Sequence, residues 1–375
     1  MKKETVKSDN YNAAFFARVA CFILVFALII GVLSRGPFSN KQGTTYNNYY
    51  RKAYSYLLEP EDTIDVVCMG TSEAYTGFIP NAVFEKYGYT CLNTSMTYQT
   101  SMRTYTFLTD LLKHQDIKVL VLETDMLYYG YHSNDSYTTP FYEKYTAAAE
   151  PFFSRVSESR FDDIVSTHAS VFNFNDRWKR LEPQELVTSF HSLEPYDYNH
   201  GYYFVTKTDK AVKPNKNMEP TDEVAVMPYE SHWYLDKLID LCQDKGIAVV
   251  LFEFPQARDY SYAKHNAIQQ AADRDGVTFV DMNLMLEELG IDYTTDFRDA
   301  AHVNYSGAVK VTDYVADYLH AHYGDLLTDR RGDVTCAQYE AAQRDFIYSN
   351  FFEPHIHKMP AEKKSDEEND ELNMG

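Results

Sequence analysis

The sequence predicts an α/β fold in which helices cover both faces of a parallel sheet, giving three layers. Two observations carry this prediction. Short apolar, β-branched runs recur along the chain, and stretches of ten or more residues with helical spacing separate them. Strands that are apolar throughout are typical of a parallel sheet buried on both faces. A chain of 375 residues, 45% of them apolar, can bury such a sheet in one interrupted domain.

The predicted elements alternate between strands and helices along the chain. The first strand covers residues 64–69 (IDVVCM), and the clearest strand of the first half covers residues 117–123 (IKVLVLE). Ligands of such sheets bind beyond the carboxyl ends of the strands, so the functional site is expected there. The remaining predicted strands are 89–93, 247–254 and 277–281, and the predicted helices are 101–114, 234–244, 262–274 and 306–322.

One long segment interrupts this alternation. Residues 125–228 are rich in Tyr, Phe, Asn and Ser but lack clean periodicity, and they are predicted to be an insertion that covers the site. A stalk is expected over residues 35–59, followed by an α/β domain over residues 60–322. Residues 323–375 form a C-terminal extension, and its highly charged end is predicted to be disordered from about residue 358.

The N-terminal region predicts a membrane anchor. Residues 13–34 are apolar on every face and carry a single charge, Arg18, which can reach the inner interface. Lys2, Lys3 and Lys7 precede this run, so residues 1–12 are expected inside the cell and the domain outside. A cleaved signal peptide is the alternative, but residues 31–35 (GVLSR) are a poor cleavage site. An uncleaved, single-pass signal anchor in the cell membrane is therefore favoured.

The charge of the chain excludes one class of partner. The net charge is −20 and no basic stretch is present, whereas a nucleic-acid-binding protein needs Lys and Arg to meet the phosphates. Up to Arg35 the chain holds five basic and two acidic residues, which leaves a net charge of −23 on the remainder. This acidity favours a neutral polysaccharide over an anionic polymer as the ligand of the outside domain.

Two short motifs supply the residue types of a serine hydrolase. Gly70-Thr71-Ser72 directly follows the first predicted strand, where a turn into a helix would lift the Ser72 hydroxyl above the sheet edge. Asp299 and His302 stand just before the last predicted helix. Their spacing lets the carboxylate hold one ring nitrogen while the other faces a nucleophile. Alone, the first motif also suits an ordinary helix N-cap and the second a surface turn.

Together, these motifs at the two ends of a doubly wound sheet resemble those of the SGNH/GDSL hydrolase superfamily. The resemblance covers about residues 60–322 apart from the insertion, and it implies a flavodoxin-like sheet. In that family the Gly-x-Ser block supplies the nucleophile, and the D-x-x-H block supplies the base and the acid that orients it. The resemblance thus makes Ser72 the nucleophile, His302 the general base and Asp299 its orienting residue.

A narrower resemblance involves the anchor, residues 70–80 (GTSEAYTGFIP) and residues 299–308 (DAAHVNYSGA). These features are similar to the membrane-anchored envelope members of the superfamily. Those members include the D-alanyl transfer protein of teichoic acid modification and the alginate and peptidoglycan O-acetyltransferases. The similarity implies a serine esterase or O-acyltransferase that acts on acyl esters of a cell-envelope polysaccharide or related glycopolymer. It also implies a membrane-bound O-acyltransferase as a partner.

The sequence departs from the family at the oxyanion hole. Family members use the serine N–H, a glycine N–H from a second block and an asparagine from a Gly-x-Asn-Asp block. Here residues 93–99 read NTSMTYQ and residues 123–125 read ETD, so neither block is present. One missing donor costs roughly 3–4 kcal/mol of transition-state stabilisation. The alternative function is therefore a weak or inactive relative that binds a glycan or an acyltransferase partner. The candidate donors are Ser72, Ser95, Asn93, Gln99 and Asn134.

Other groups of reactive side chains predict less. Glu123 and Asp125 suit a cation or a carboxylate pair, although capping the turn that follows the third strand is the simpler role. His355 and His357 have no carboxylate or cysteine at ligand spacing. The five cysteines include no Cys-x-x-Cys pair. The sequence therefore predicts no disulfide framework, metal or cofactor.

Overall fold

Parallel strands form the centre of the fold in the computed structural model, which describes residues 2–38, 55–129, 171–172, 178–179, 181, 197–347 and 350–351. The strands pair side by side in the order β2-β1-β3-β4-β5, and every pair is parallel. The predicted α/β class is thus confirmed, with a strand order compatible with a flavodoxin-like fold. The strands are β1 (Val66–Met69), β2 (Cys91–Asn93), β3 (Val119–Glu123), β4 (Ala248–Glu253) and β5 (Thr278–Asp281).

Helices connect the strands and cover both faces of the sheet. One face carries Val66 and Cys68 and packs against α2, α3 and α7, whereas the other carries Val67 and Met69 and packs against α4, α5 and α6. Each face thus has its own apolar core. The helices are α1 (Lys2–Arg35), α2 (Ser72–Gly77), α3 (Pro80–Tyr87), α4 (Ser101–Leu111), α5 (Tyr229–Asp244), α6 (Tyr262–Asp275), α7 (Tyr305–Tyr323) and α8 (Ala337–Ile347).

The predicted strands all lie within about two residues of the observed ones, and α2 is the helix expected directly after the first motif, but α3 and α8 were not predicted. Helices α2 and α3 are short, and the signals that bound α3 are local: Pro80 at its first position and Gly88 in the left-handed conformation at its end. Helix α8 lies beyond residue 322, where the apolar pattern predicts the end of the domain. It packs on the sheet because Tyr339 exchanges two hydrogen bonds with the backbone of Cys91 in edge strand β2, at 3.0 and 2.8 Å.

The segment predicted to be an insertion begins after β3. A short 3-10 turn at Asp125–Tyr128 leaves the sheet, and α5 is the next α-helix within the described residues. Most of residues 130–196 lie outside the described part of the chain, as do residues 39–54 of the predicted stalk and the tail from residue 352. Within residues 197–228 the chain is largely irregular and contacts the sheet edge, where Asn93 N donates to His200 O at 2.9 Å.

The N-terminal helix α1 has the dimensions of a membrane span. Ala13–Ser34 is a stretch of 22 residues that is long and apolar enough to cross a bilayer, and the side chains of its most apolar part are not buried against the rest of the protein. At about 1.5 Å per residue, the stretch is about 33 Å long, which matches a hydrocarbon core of about 30 Å.

A buried ion pair ties the C-terminal segment to the start of β1. Arg330 donates from Nε and Nη2 to the two carboxylate oxygens of Asp65, at 2.9 and 2.8 Å. The Asp65 side chain is only 1% exposed, so its charge depends on this partner. Lys118 N also donates to Asp65 O at 2.8 Å, which links the same residue to the start of β3.

Arg330→Leu should therefore destabilise the protein by about 3–5 kcal/mol, because it leaves a buried carboxylate without its counter-ion. Urea unfolding of the detergent-solubilised full chain measures this loss. Arg331→Leu is the matched control, because Arg331 pairs with Asp329 at the exposed surface and should change the unfolding free energy little. Equal stability of the two variants would contradict the role of the pair.

Candidate active site

The candidate site lies where the strand order of the sheet reverses. From β1 the chain passes to β2 on one side and then to β3 on the other, which opens a crevice between the carboxyl ends of β1 and β3. Gly70-Thr71-Ser72 leaves β1 at this crevice, and Glu123 is the last residue of β3. The topology therefore brings the first motif and the acidic end of β3 together.

Gly70 is needed because Glu123 lies directly over it. A Cβ atom on Gly70 would come within 2.4 Å of the Glu123 Cβ atom, so only glycine fits at the end of β1. The Glu123 carboxylate then accepts hydrogen bonds from Thr71 N at 2.7 Å and from Thr71 Oγ1 at 2.9 Å. It also accepts from Asp125 N at 2.6 Å, which confirms the predicted capping of the turn after β3. These bonds fix the backbone that carries Ser72.

Ser72 is the first residue of α2, and its side chain is partly buried. Its hydroxyl donates to Glu73 Oε2 at 3.2 Å. The same carboxylate oxygen accepts a short hydrogen bond from Thr71 Oγ1. The candidate nucleophile is thus held by a neighbouring carboxylate that is itself only 5% exposed.

The second motif lies on a tight loop before α7. Phe297 and Val303 form an antiparallel bridge, and Arg298 N donates to His302 O at 3.0 Å, so the chain doubles back around the motif. Asn304 ends the loop and caps α7 by accepting from Gly307 N at 3.2 Å. The loop is consequently anchored to a long core helix rather than left free at the surface.

Buried Asp296 fixes the start of this loop. Its carboxylate accepts from Lys310 Nζ at 2.6 Å and from Ser306 Oγ at 2.7 Å, both on α7. The lysine outweighs the effect of burial and lowers the pKa of Asp296, so the carboxylate is ionised. Gly307 allows close packing here, because a Cβ atom on it would lie 2.4 Å from Asp296 O.

Asp299 and His302 have the geometry of an orienting acid and a base. Asp299 Oδ1 lies 2.8 Å from His302 Nδ1 and also accepts from His302 N at 3.0 Å. Arg298 Nε donates to the other oxygen at 2.9 Å. Burial raises the pKa of Asp299, but its bonds to His302 and Arg298 outweigh burial and hold this pKa well below the usual range. The carboxylate therefore stays charged and fixes one ring nitrogen.

The other ring nitrogen points towards the serine region. His302 Nε2 is buried, has no hydrogen-bond partner among the described residues and lies 3.9 Å from Glu73 Oε1. The fold thus brings Ser72, His302 and Asp299 to one crevice, although the Ser72 hydroxyl bonds to Glu73 instead of His302. The two motifs did not predict that Glu73 lies beside both Ser72 and His302. The sequence signal for this residue was an acidic side chain directly after the serine.

The candidate oxyanion donors have other partners in this structure. Asn93 Nδ2 donates to Ala74 O at 2.8 Å and to Phe78 O at 3.1 Å, which uses both amide hydrogens. Ser95 N donates to Asn93 Oδ1 at 3.2 Å, and Gln99 Nε2 donates to Thr104 Oγ1 at 2.9 Å. Ser72 N remains at the first position of α2. Asn134 lies outside the described residues.

Three more carboxyl groups are buried behind the crevice. Burial, with the charge of neighbouring acids, raises the pKa of Glu123 and of Glu253 well above the usual value. Burial and the charge of Glu73 raise the pKa of Asp125 to about 7, although Lys264, 3.9 Å away, opposes this shift. Glu253 is hydrogen-bonded by Thr124 at 2.5 Å and Gln256 at 2.7 Å. The floor of the site therefore holds protons at neutral pH.

Comparison with known proteins adds no identification. No protein-family model and no curated protein matches the chain. Among the described residues, which do not include His355 and His357, no group of three His, Cys, Asp or Glu side chains is arranged to hold a metal ion. What the site does must therefore follow from the geometry of its own residues.

The raised pKa of Asp125 makes stability fall as the pH rises. An unfolded aspartate ionises near pH 4, whereas folded Asp125 keeps its proton up to about pH 7. Between these values the unfolded chain binds fewer protons than the native state, and this residue costs up to about 1.4 kcal/mol per pH unit. Asp125→Asn should remove that loss, so its stability relative to the parent should increase from pH 4.5 to 7.5.

Urea unfolding across this pH range measures the difference. Asp116→Asn is the control, because the Asp116 side chain is 71% exposed and lies at the other end of β3. Parallel stability curves for Asp125→Asn and the parent would show that Asp125 does not carry a proton into the native state.

Proposed function

We propose that the chain is a membrane-anchored, extracytoplasmic SGNH-type serine esterase or O-acyltransferase that acts on acyl esters of cell-envelope glycopolymers. The observation that carries this proposal is the His302 ring. Asp299 holds its Nδ1 atom at 2.8 Å, while its buried Nε2 atom faces the crevice that also contains Ser72. An acid, a base and a hydroxyl gathered at the carboxyl edge of a parallel sheet are the parts needed for acyl transfer.

The proposed reaction uses these three groups in two steps. Ser72 Oγ attacks the ester carbonyl carbon, its proton moves to His302 Nε2, and the carbonyl electron pair moves onto the carbonyl oxygen. When that pair returns, the ester C–O bond breaks, and His302 gives the proton to the leaving oxygen. Water or a sugar hydroxyl then attacks the carbonyl carbon of the acyl-serine while His302 Nε2 accepts its proton. The bond between that carbon and Ser72 Oγ breaks, and His302 returns the proton to Ser72 Oγ, which completes hydrolysis or transfer. Asp299 keeps the ring oriented and balances its positive charge throughout.

The fold supports the family assignment within this proposal. The sheet order β2-β1-β3-β4-β5 is compatible with a flavodoxin-like fold, the serine follows β1, and the Asp-x-x-His loop immediately precedes α7. These are the positions that the resemblance to SGNH hydrolases implies for the nucleophile, the base and its orienting acid. The described end of the segment after β3 contacts the helix that begins at Ser72, since Tyr203 N donates to Tyr75 O at 2.8 Å.

A second candidate function is supported by the state of the oxyanion donors. Because the Asn93 amide hydrogens are used within the fold, the described residues offer fewer donors for a developing oxyanion than the family pattern implies. A protein with this defect would bind a glycan or an acyltransferase partner in the crevice without turning it over.

The anchor supports the proposed location. With Lys2, Lys3 and Lys7 before the apolar helix, the N-terminus would stay inside and the α/β domain would face outwards. Protease added to intact cells that produce the chain should therefore digest the domain and leave the N-terminal region protected. Degradation only after the cells are opened would contradict this orientation.

The nucleophile is tested by labelling the full chain with a fluorophosphonate, which reacts only with an activated serine. We expect labelling on the peptide that contains Ser72, its loss in Ser72→Ala, and a decrease of about 10³-fold or more in His302→Ala. Unfolded parent protein is the control for non-specific reaction. Equal labelling of Ser72→Ala and the parent would refute the nucleophile, and an unlabelled parent that still binds a glycan would favour the second candidate function.

A further inference from the structure

The inference concerns Glu73, which no motif assigns to the catalytic machinery. Its carboxylate is the one group that touches both halves of the candidate site among the described residues. Oε2 accepts from the Ser72 hydroxyl at 3.2 Å, and Oε1 lies 3.9 Å from His302 Nε2. Glu73 is 5% exposed, so its charge acts on both groups without a shell of water between them.

The Thr71 hydroxyl connects Glu73 to the floor of the crevice. Thr71 Oγ1 contacts Oε2 of Glu73 and Oε2 of Glu123. Burial, with the charge of Asp125 and of Glu73, raises the pKa of Glu123 well above its usual value. Thr71 therefore fixes the Glu73 carboxylate between buried Glu123 and the two groups of the candidate site.

The ring of His302 is consequently flanked by carboxylates on both nitrogens. Asp299 faces Nδ1 at 2.8 Å, and Glu73 faces Nε2 at 3.9 Å. A neutral ring that donates from Nδ1 would turn its lone pair on Nε2 towards Glu73, whereas a protonated ring presents an N–H there. The Glu73 carboxylate therefore attracts the positive charge that arises on His302 when Ser72 loses its proton.

We propose that Glu73 is a further residue of the catalytic site, in which one carboxylate oxygen orients the Ser72 hydroxyl and the other stabilises the positive charge that forms on His302. This inference rests on the proposed serine chemistry. The Ser72 proton still moves to His302 Nε2 and from there to the leaving oxygen, so Glu73 gains and loses no proton. The charged or titratable groups that face Glu73 and His302 are Glu123, Asp125, Tyr129, Asp299 and Arg298.

The test is the pH dependence of fluorophosphonate labelling at Ser72 in the full chain. Glu73→Gln keeps the shape of the side chain but removes its charge. Without that charge, His302 should lose its proton more readily. The acid limb of the pH profile, over which the labelling rate rises as His302 loses its proton, should therefore move about one pH unit or more to lower pH. The plateau rate should fall about tenfold or more, because Ser72 and the charged ring lose a partner.

Glu59→Gln is the matched control, because Glu59 is also buried but its carboxylate lies 3.6 Å from His200 Nδ1 rather than beside Ser72 or His302. It should keep both the limb and the plateau of the parent. If Glu73→Gln does not fold, Glu73→Asp retains the charge and should keep the limb close to its parental position.

The possible outcomes separate the two proposals. If the parent labels at Ser72 and the acid limb and plateau of Glu73→Gln equal those of Glu59→Gln, the role of Glu73 is overturned and the serine chemistry stands. The role of Glu73 is also overturned if the acid limb of Glu73→Asp moves as far to lower pH as is expected for Glu73→Gln. A parent that does not label at Ser72 overturns the serine chemistry and the role of Glu73 together.

Discussion

The reversal of strand order between β1 and β3 is the constraint on which the candidate site depends. Because β2 and β3 pair on opposite sides of β1, the connections after β1 and β3 diverge and leave a crevice at their carboxyl ends. Glu123 fills the floor of this crevice, and its bonds to Thr71 fix the turn that carries Ser72. The loop that carries Asp299 and His302 reaches this crevice from the C-terminal part of the domain. Helix α7, which Asn304 caps, holds the loop in place.

The crevice combines buried acids with a small number of donors, and this balance explains its electrostatics. Each buried carboxyl group accepts hydrogen bonds from a hydroxyl, an amide or a backbone N–H, which reduces the cost of taking it out of water. Burial, reinforced by the charge of neighbouring acids, still raises the pKa of the deeper groups, Glu123 and Glu253, so that they keep their protons. Asp299 has stronger partners, since it is paired with His302 and Arg298. The charge of Asp299 is therefore retained beside His302, whereas the deeper acids are neutral.

Periodicity and chemistry in the sequence predict different parts of this arrangement. Continuous apolar runs such as 119–123 identify the strands, because a strand buried on both faces has no alternation of apolar and polar residues. The spacing of Asp299 and His302 predicts the contact between their side chains. Helix α8 could not be predicted in this way, because only Tyr339, Ala342 and Phe346 of its residues are buried. The position of Glu73 between Ser72 and His302 depends on how α2 leaves β1, which is a tertiary property that no local pattern contains.

The same geometry bears on the substrate under the proposed function. The net charge of −23 beyond residue 35 includes carboxylates within the candidate site. Glu73 and Asp299 lie on either side of His302 there. Arg298 is the cation nearest to them, and it is already paired with Asp299 at 2.9 Å while its guanidinium lies 5.8 Å from the Tyr203 ring. An anionic polymer would bring like charge to a desolvated carboxylate, whereas a neutral sugar ester would not. Under the proposed function, the acidity from which the sequence predicts no nucleic-acid partner thus also favours an uncharged acyl ester at the site.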